Sequence, residues 1–403
     1  MKVVIFTSGR FHVCDLSREL DALGHEVAFY SCVPRSRTRR FGLPDICNHC
    51  LFWYVAPLFF WMRHCRGERT RRIGEQVFIE IYDRLASKLI RQCDVFIGMS
   101  GMSTLTATSA RRRFGARIWI ERGSRHILSQ KEILENIPGA GTGAKPVSDF
   151  SVRRELADYA LADIIVIPSK HVEQSFEERG TDHEKLFRIS YGVDIEMFPP
   201  TPPPRTDTPT ILTVGTWSLR KGSDTLTDAW RSLPGTRLIH VGSVLDVPLP
   251  TGPLFEHFGA VPQMKLSEFY ARAHVFALAS REEGLAVVQA QALACGLPIV
   301  CTSRTGGEDL QEFVEVPESI SVVPPDSPAA LSQAIGVALR LPKPSGVRDL
   351  MGSRRSRASW RWYGQQYSTA LNTAFRSSSR LEATQSPDHK SVTELDKPKG
   401  APQ

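Results

Sequence analysis

Short apolar runs recur along the chain, each followed by a loop of small or charged residues and then by a stretch of helical period. In the first half, Val3–Phe6, His25–Tyr30, Asp94–Met99, Arg117–Ile120, Ile164–Pro168 and Leu186–Ser190 read as strands. In the second half, Ile211–Val214, Arg237–Val241, Val275–Leu278, Pro298–Val300 and Ile320–Val323 read the same way. Apolar positions three and four apart mark the helices between them. Leu16, Leu20 and Leu23 form one such face, which Gly24 closes at the usual cap position. Val77, Ile81, Leu85 and Leu89 form another over Glu75–Arg91. Further helices are predicted over Val152–Leu161, from His171 to near Gly180, and over Leu266–Ala273, Val287–Ala294 and Pro328–Leu341. Strands alternating with helices predict an α/β protein with parallel sheets, whose ligands bind at the carboxyl ends of the strands.

The alternation restarts after Pro199-Pro200-Thr201-Pro202-Pro203-Pro204, a stiff segment that makes the best domain boundary. Two domains are expected, since 403 residues exceed one core. They cover 1–198 and 210–353, with 199–209 as linker. Residues 377–403 are polar without an apolar period and read as a disordered tail, and 138–148, PGAGTGAKPVS, reads as a flexible loop suited to an acceptor-side lid.

Composition changes this picture little. Hydrophobic residues at 41% and charged residues at 23% describe an ordinary globular protein. A net charge of +7 suits an anionic substrate or an anionic membrane surface, and no nucleic-acid motif accompanies it. The eight cysteines lack a disulfide framework, and the chain opens on a strand without a signal peptide, so a cytoplasmic protein with reduced thiols is expected. One spacing, Cys47-Asn-His-Cys50 with His64 or Cys65, is compatible with zinc, but no second pair completes it and no metal is expected.

One segment stands out. Arg35, Arg37, Arg39 and Arg40 precede the run Leu51–Met62, LFWYVAPLFFWM, and Arg63, Arg66, Arg69, Arg71 and Arg72 follow it. The run is too short to span a bilayer. Two readings stay open for 51–72: a segment at an anionic membrane surface, and a packed core element with solvated arginines.

Four loops carry candidate chemistry. Thr7–His12 follows the first strand and is not a GxGxxG fingerprint, so no dinucleotide cofactor is expected. Glu121-Arg-Gly-Ser-Arg-His126 places charges at a strand end, where a histidine can bind a sugar hydroxyl or stabilise charge. Arg220-Lys221-Gly222 offers an Arg fork and a Lys point charge to a diphosphate; a solvated pair before a helix is the plain alternative. Glu282-Glu283-Gly284 precedes the helix from Val287, whose N-terminus suits a phosphate-like anion, while Glu283 can accept sugar hydroxyls.

Glu283-Gly284 with Ala292-Leu-Ala-Cys-Gly-Leu-Pro-Ile-Val300 resembles the EGFGLxxxEAMACGxPV motif of retaining GT-B glycosyltransferases of family 4. Ala286 replaces a glycine of that motif, and Gln291 replaces its second glutamate. The RKG run at Arg220, the GVD run at Gly192-Val193-Asp194 with Phe198, and an RGSxHI-like segment ending in His126-Ile127 are similar too. The resemblance covers nearly all of 1–376, most specifically 152–198 and 211–310. It implies two Rossmann-like domains facing each other across a cleft, with the helix of 354–376 crossing back to the first. The implied activity is hexosyl transfer from a nucleoside-diphosphate sugar to a glycan or lipid-linked acceptor in envelope or exopolysaccharide synthesis, with retention and without metal.

The resemblance also implies residue roles. Arg220 and Lys221 hold the diphosphate, together with Gly9. Glu283 binds the sugar, alongside Gly284, Leu285 and Ala286. Val261 lies by the base through its backbone, Gln291 meets the ribose, and His126 lies near the transferred sugar. His12, Glu121 and Arg122 fall on the acceptor side. A nucleotide-sugar epimerase of the same fold, or a weakened member serving as an interaction partner, are the alternatives.

Overall fold

The computed structural model describes residues 1–64, 67–138, 147–204, 206–341 and 346–384. Two wholly parallel sheets form the frame. The first holds β1 (Lys2–Phe6), β2 (Glu26–Ser31), β3 (Asn48–Cys50), β4 (Val95–Met99), β5 (Arg117–Glu121), β6 (Ile164–Ile167) and β7 (Leu186–Arg188), in the order β3-β2-β1-β4-β5-β6-β7. The second holds β8 (Thr210–Val214), β9 (Arg237–Val241), β10 (Phe255–Phe258), β11 (Val275–Leu278), β12 (Ile299–Thr302) and β13 (Ile320–Val323), in the order β10-β9-β8-β11-β12-β13. Each sheet reverses its order once, between β1 and β4 and between β8 and β11, and a crevice opens at such a point. The loops with candidate chemistry leave these strands.

The strands read as unbroken apolar runs because helices cover both faces. Val3 to Phe6, Val95 to Ile97, Ile211 and Leu212, and Val275 to Leu278 are all at most 2% exposed. Two strands, β3 and β10, were not expected. Both are short edge strands, and β10 reads Phe-Glu-His-Phe with no fully buried residue, so apolar content does not mark it.

Helix Glu68–Leu89 differs from its predicted face. Ile81 and Leu89 are exposed, and the buried side carries Phe78, Tyr82 and Ala86. Tyr82 stacks on Phe6 at 4.9 Å and donates its hydroxyl to Thr7 O at 2.7 Å, while Phe78 stacks on Tyr82 at 5.4 Å. Aromatic area and one buried hydroxyl partner outweigh the aliphatic stripe and rotate the helix by about one residue.

Residues 52–64 form a helix with one face on the core, through Val55, Leu58, Phe59 and Met62, and the other in solvent. Trp53 is 81% exposed, Tyr54 64% and Phe60 69%, and Val55 alone of this helix is buried. The CNHC spacing falls across β3. Cys47 is buried with its thiol 3.2 Å from Asp21 Oδ1, and among the described residues no three His, Cys, Asp or Glu side chains gather as a metal site; Cys65 lies outside them.

The last helix, Trp360–Thr384, lies against helix Phe11–Ala22 of the first domain. Tyr367 donates its hydroxyl to Glu121 at 2.8 Å, and its ring lies 5.3 Å from Trp119. Helical backbone runs eight residues into the stretch expected as tail. Residues 385–403 of that stretch, and 139–146 of the expected lid, lie outside the described residues.

Candidate active site

Behind β8 the chain turns through Ser218–Ser223, with Ser218 N donating to Ser223 Oγ at 2.9 Å. Gly222 closes this turn at φ +62°, and a Cβ there would lie 2.0 Å from Ala279 O, so no other residue fits. The turn holds Arg220 and Lys221 at the crevice, ahead of helix Ser223–Arg231. Behind β11, Ser280–Gly284 runs alongside.

Each cation meets a carboxylate of that second loop. Arg220 donates through Nε and Nη2 to Glu282 Oε2 at 2.9 and 2.8 Å, and Lys221 Nζ pairs with Glu283. Burial and the adjacent Arg220 guanidinium bring Lys221 down to about 8, against the pull of Glu282. Glu282 is fully buried. Burial opposes its ionisation, but Arg220, Ser124 and Gln130 hold its carboxyl below the usual range.

Ser124 and Gln130 belong to the first domain, and both donate to Glu282, Gln130 Nε2 at 3.2 Å. Gly284 O accepts from two further residues of that domain, Ser169 Oγ and His171 Nε2, each at 2.8 Å. Burial lowers His171 to about 4, so it donates as a neutral imidazole, although the bond to Gly284 O itself favours the charged form. A Cβ on Gly284 would fall 2.1 Å from Gly123 O, so the domains touch here backbone to backbone. At the edges of the cleft Arg10 Nη2 donates to Gln263 at 3.2 Å, and Lys170 N and Arg188 Nη1 donate to Asp309 Oδ1 at 2.9 and 2.8 Å.

The remaining expected residues divide into two groups. Glu121, at the end of β5, accepts from His12 Nε2 at 2.9 Å and from Tyr367, and the His12 ring packs on Tyr191 at 4.3 Å. Gly9 lies in the neighbouring loop, where Phe11 adopts φ +38° and is half-exposed. Arg122 is turned inward. It pairs with Glu155 at 2.8 Å, binds Arg125 O and holds the Gln130 amide oxygen at 2.8 Å.

His126 is likewise 4% exposed, between Tyr159 at 5.2 Å and Phe176 at 5.0 Å, and its Nδ1 accepts from Leu128 N to cap helix Ile127–Glu135. Burial, with Arg122 and Arg179 nearby, lowers it to about 4. Its surroundings are those of a neutral capping residue.

In the second domain, Leu285 and Ala286 are buried ahead of helix Val287–Ala294, and Val261 packs against the large core. Gln291 is 4% exposed, with its amide 3.0 Å from the Tyr270 hydroxyl, which also lies 3.2 Å from Val288 O. The phenol donates to Gln291 Oε1, and that carbonyl oxygen keeps a second lone pair for another donor.

Sequence reasoning assigned no role to Glu282, Gln130, Ser169, His171 or Asp309. The doubled carboxylate before Gly284 was the available signal for Glu282. The others are marked only by their position just after a strand or on the following helix.

Residues 208–340 match the family model described as "Glycosyl transferases group 1". Over 270 residues the chain is 27% identical to the GDP-mannose-dependent alpha-(1-6)-phosphatidylinositol monomannoside mannosyltransferase of Mycolicibacterium smegmatis, covering 60% of this chain and 68% of that one. It is 29% identical over 175 residues to the D-inositol 3-phosphate glycosyltransferase of Xylanimonas cellulosilytica, covering 36% and 42%. It is 26% identical over 167 residues to the D-inositol 3-phosphate glycosyltransferase of Mycobacteroides abscessus, covering 36% and 38%. The chain thus spans less than half the length of the second and third of these relatives.

Among solved structures, sucrose-phosphate synthase from Thermosynechococcus elongatus superposes with a TM-score of 0.64 at 19% identity, over 94% of this chain and 100% of that one. Anabaena HepE in complex with UDP and glucose superposes at 0.63 and 13% identity, over 93% and 100%. The fold is GT-B, two Rossmann-like domains facing across a cleft.

Proposed function

We propose that this protein is a glycosyltransferase that moves a sugar from a nucleoside-diphosphate donor to a glycan or lipid-linked acceptor, with retention and without a metal. The observation that carries the proposal is the pairing of Arg220 with Glu282 and Lys221 with Glu283 where the strand order of the second sheet reverses. Two cations face two carboxylates at the place where this kind of fold binds its ligand. A diphosphate takes over the cations, and a sugar hydroxyl takes over from Lys221 as donor to the Glu283 carboxylate. As the bond from sugar to phosphate ionises, charge grows on the leaving oxygen, and Arg220 and Lys221 bind that state more tightly than the ground state. The leaving phosphate then takes the acceptor's proton. His12 and Glu121, joined at the end of β5, are the first-domain pair placed to orient the acceptor; His126 supports them from the core as a helix cap. Gln291 meets the ribose through its carbonyl. The site works in the cytoplasm, with the helix of 52–64 on an anionic membrane surface.

The test is calorimetric titration with UDP, GDP, ADP and CMP, with and without magnesium. One diphosphate binds without metal, and Arg220→Ala lowers donor turnover by about a hundred- to a thousandfold. Full turnover in Arg220→Ala and Lys221→Ala, or no binding of any nucleotide, overturns the reading.

A further inference from the structure

A charged cavity of about 410 Å³ lies in the cleft beside the loop of Ser280–Gly284, lined among others by Arg125, Arg179, Arg281 and Arg304. Arg304 adjoins the donor site directly, since its carbonyl accepts from Glu283 N at 3.1 Å. The four arginines are not equivalent. Arg281 is spent on Asp224 at 2.7 and 2.8 Å and on Asp326. Arg179 is held by Glu132 at 2.7 Å and by Ser129 at 3.1 Å. Among the described residues, Arg125 has only the rim carboxylate Glu178 at 3.6 Å, and its buried Nε has no hydrogen-bond partner. Arg304 pairs with no carboxylate among the described residues. Arg125 is accordingly depressed, by burial first and then by Arg304 and Arg179, with Glu178 and Glu282 opposing.

Two under-neutralised guanidinium groups in one cleft repel each other, and a buried N–H without an acceptor adds a desolvation cost. An oxyanion between them offsets that repulsion, because it accepts from the guanidinium N–H groups of Arg125 and Arg304 that line the cavity. Each group comes from a different domain, Arg125 from the loop after β5 and Arg304 from the loop after β12.

We propose that Arg125 and Arg304 form an oxyanion subsite for a phosphate group carried by the acceptor, next to the sugar held at Glu283. The inference rests on the transferase reading, and it narrows the acceptor to a phosphorylated polyol or glycan.

The test follows inorganic phosphate by ³¹P line broadening, on the free protein and on protein saturated with its nucleoside diphosphate. Phosphate binds in both states, and R125Q/R304Q weakens it by about tenfold or more, the loss of two charge-assisted contacts. Nucleotide affinity, read in parallel, reports whether the donor loop survives the substitution. Glycerol 3-phosphate displaces the inorganic ion and neutral glycerol does not. Absence of phosphate binding, or binding untouched by R125Q/R304Q, overturns the subsite. Failure of glycerol 3-phosphate to displace phosphate overturns its assignment to an acceptor and leaves a site for the free ion. Should no nucleotide bind at all, the transferase reading fails by itself, while loss of phosphate in R125Q/R304Q but not in R220Q still locates the anion at this cavity.

Discussion

Lys221 is poised so that its charge depends on what occupies the cleft. Burial and Arg220 hold its ammonium near 8, well below the ordinary 10.5. A lysine lowered in the folded state binds fewer protons there than in the unfolded chain. Its charge therefore costs stability at neutral pH, and the cost fades as pH rises from about 8 toward 10.5. Nucleotide binding runs the other way. A diphosphate favours the ammonium, so affinity falls as pH rises through about 8, and binding near pH about 8.5 takes up a fraction of a proton. Calorimetry in two buffers of different ionisation enthalpy measures that uptake; none would mean that Lys221 does not face the phosphates. The neighbouring Gln291 shows what a sequence leaves unsaid about a residue. Its place in the motif was legible, whereas its bond to Tyr270, 21 positions earlier, depends on how a helix and a loop meet. His126 teaches the same lesson, since a strand-end histidine points into a cleft or caps the next helix with equal ease in sequence.

At the scale of elements, the helix of 68–89 is organised by Asp83 as much as by its apolar face. Asp83 is fully buried and accepts from Leu105 N at 2.9 Å, from Thr106 N at 2.8 Å and from Thr106 Oγ1 at 2.7 Å, and it pairs with Arg154 at 2.5 Å. One carboxylate thus caps helix Thr104–Phe114 and ties it to helix Asp149–Leu161. Asp83→Ala leaves Arg154 and two backbone N–H groups without their acceptor, and is expected to lower the unfolding free energy by about 3–5 kcal/mol in urea denaturation. A loss below about 1 kcal/mol would place the weight of this contact elsewhere. No sequence rule marks such a residue, because its partners lie 22, 23 and 71 positions away. What was legible were the central strands, which are apolar throughout, and the helices whose apolar spacing is unambiguous. Edge strands β3 and β10, half polar by position, were not.

For the molecule as a whole, two α/β domains followed from the alternation and the proline-rich boundary, and their GT-B arrangement from the resemblance of the loop motifs, but the closeness of the two domains followed from neither. The chain also presents an unusual outer surface. Helix Phe52–His64 exposes Trp53, Tyr54, Phe60 and Trp61, with Arg35, Arg37, Arg39, Arg40, Arg63, Arg69 and Arg71 exposed in the flanking segments. Among the described residues no helix is long and apolar enough to cross a membrane, so contact with one would be made by lying on it. Co-sedimentation with vesicles containing an anionic lipid is expected to retain the protein, neutral vesicles to retain much less, and Trp53→Ala with Phe60→Ala to release it. Equal recovery with no vesicles, neutral vesicles and anionic vesicles would remove the membrane from the picture.

The bonds from Ser124 and Gln130 to Glu282, and from Ser169 and His171 to Gly284, cross the very gap that a donor must enter. Two of them hold Glu282, the carboxylate that Arg220 faces. Donor capture then becomes a gated event, limited at high concentration by how often the halves part rather than by how often a nucleotide sugar arrives. The same bonds, remade behind the ligand, slow its escape and exclude water from the ionising bond. On the proposed reading, turnover speed is thereby set in part by a handful of hydrogen bonds that take no part in the chemistry.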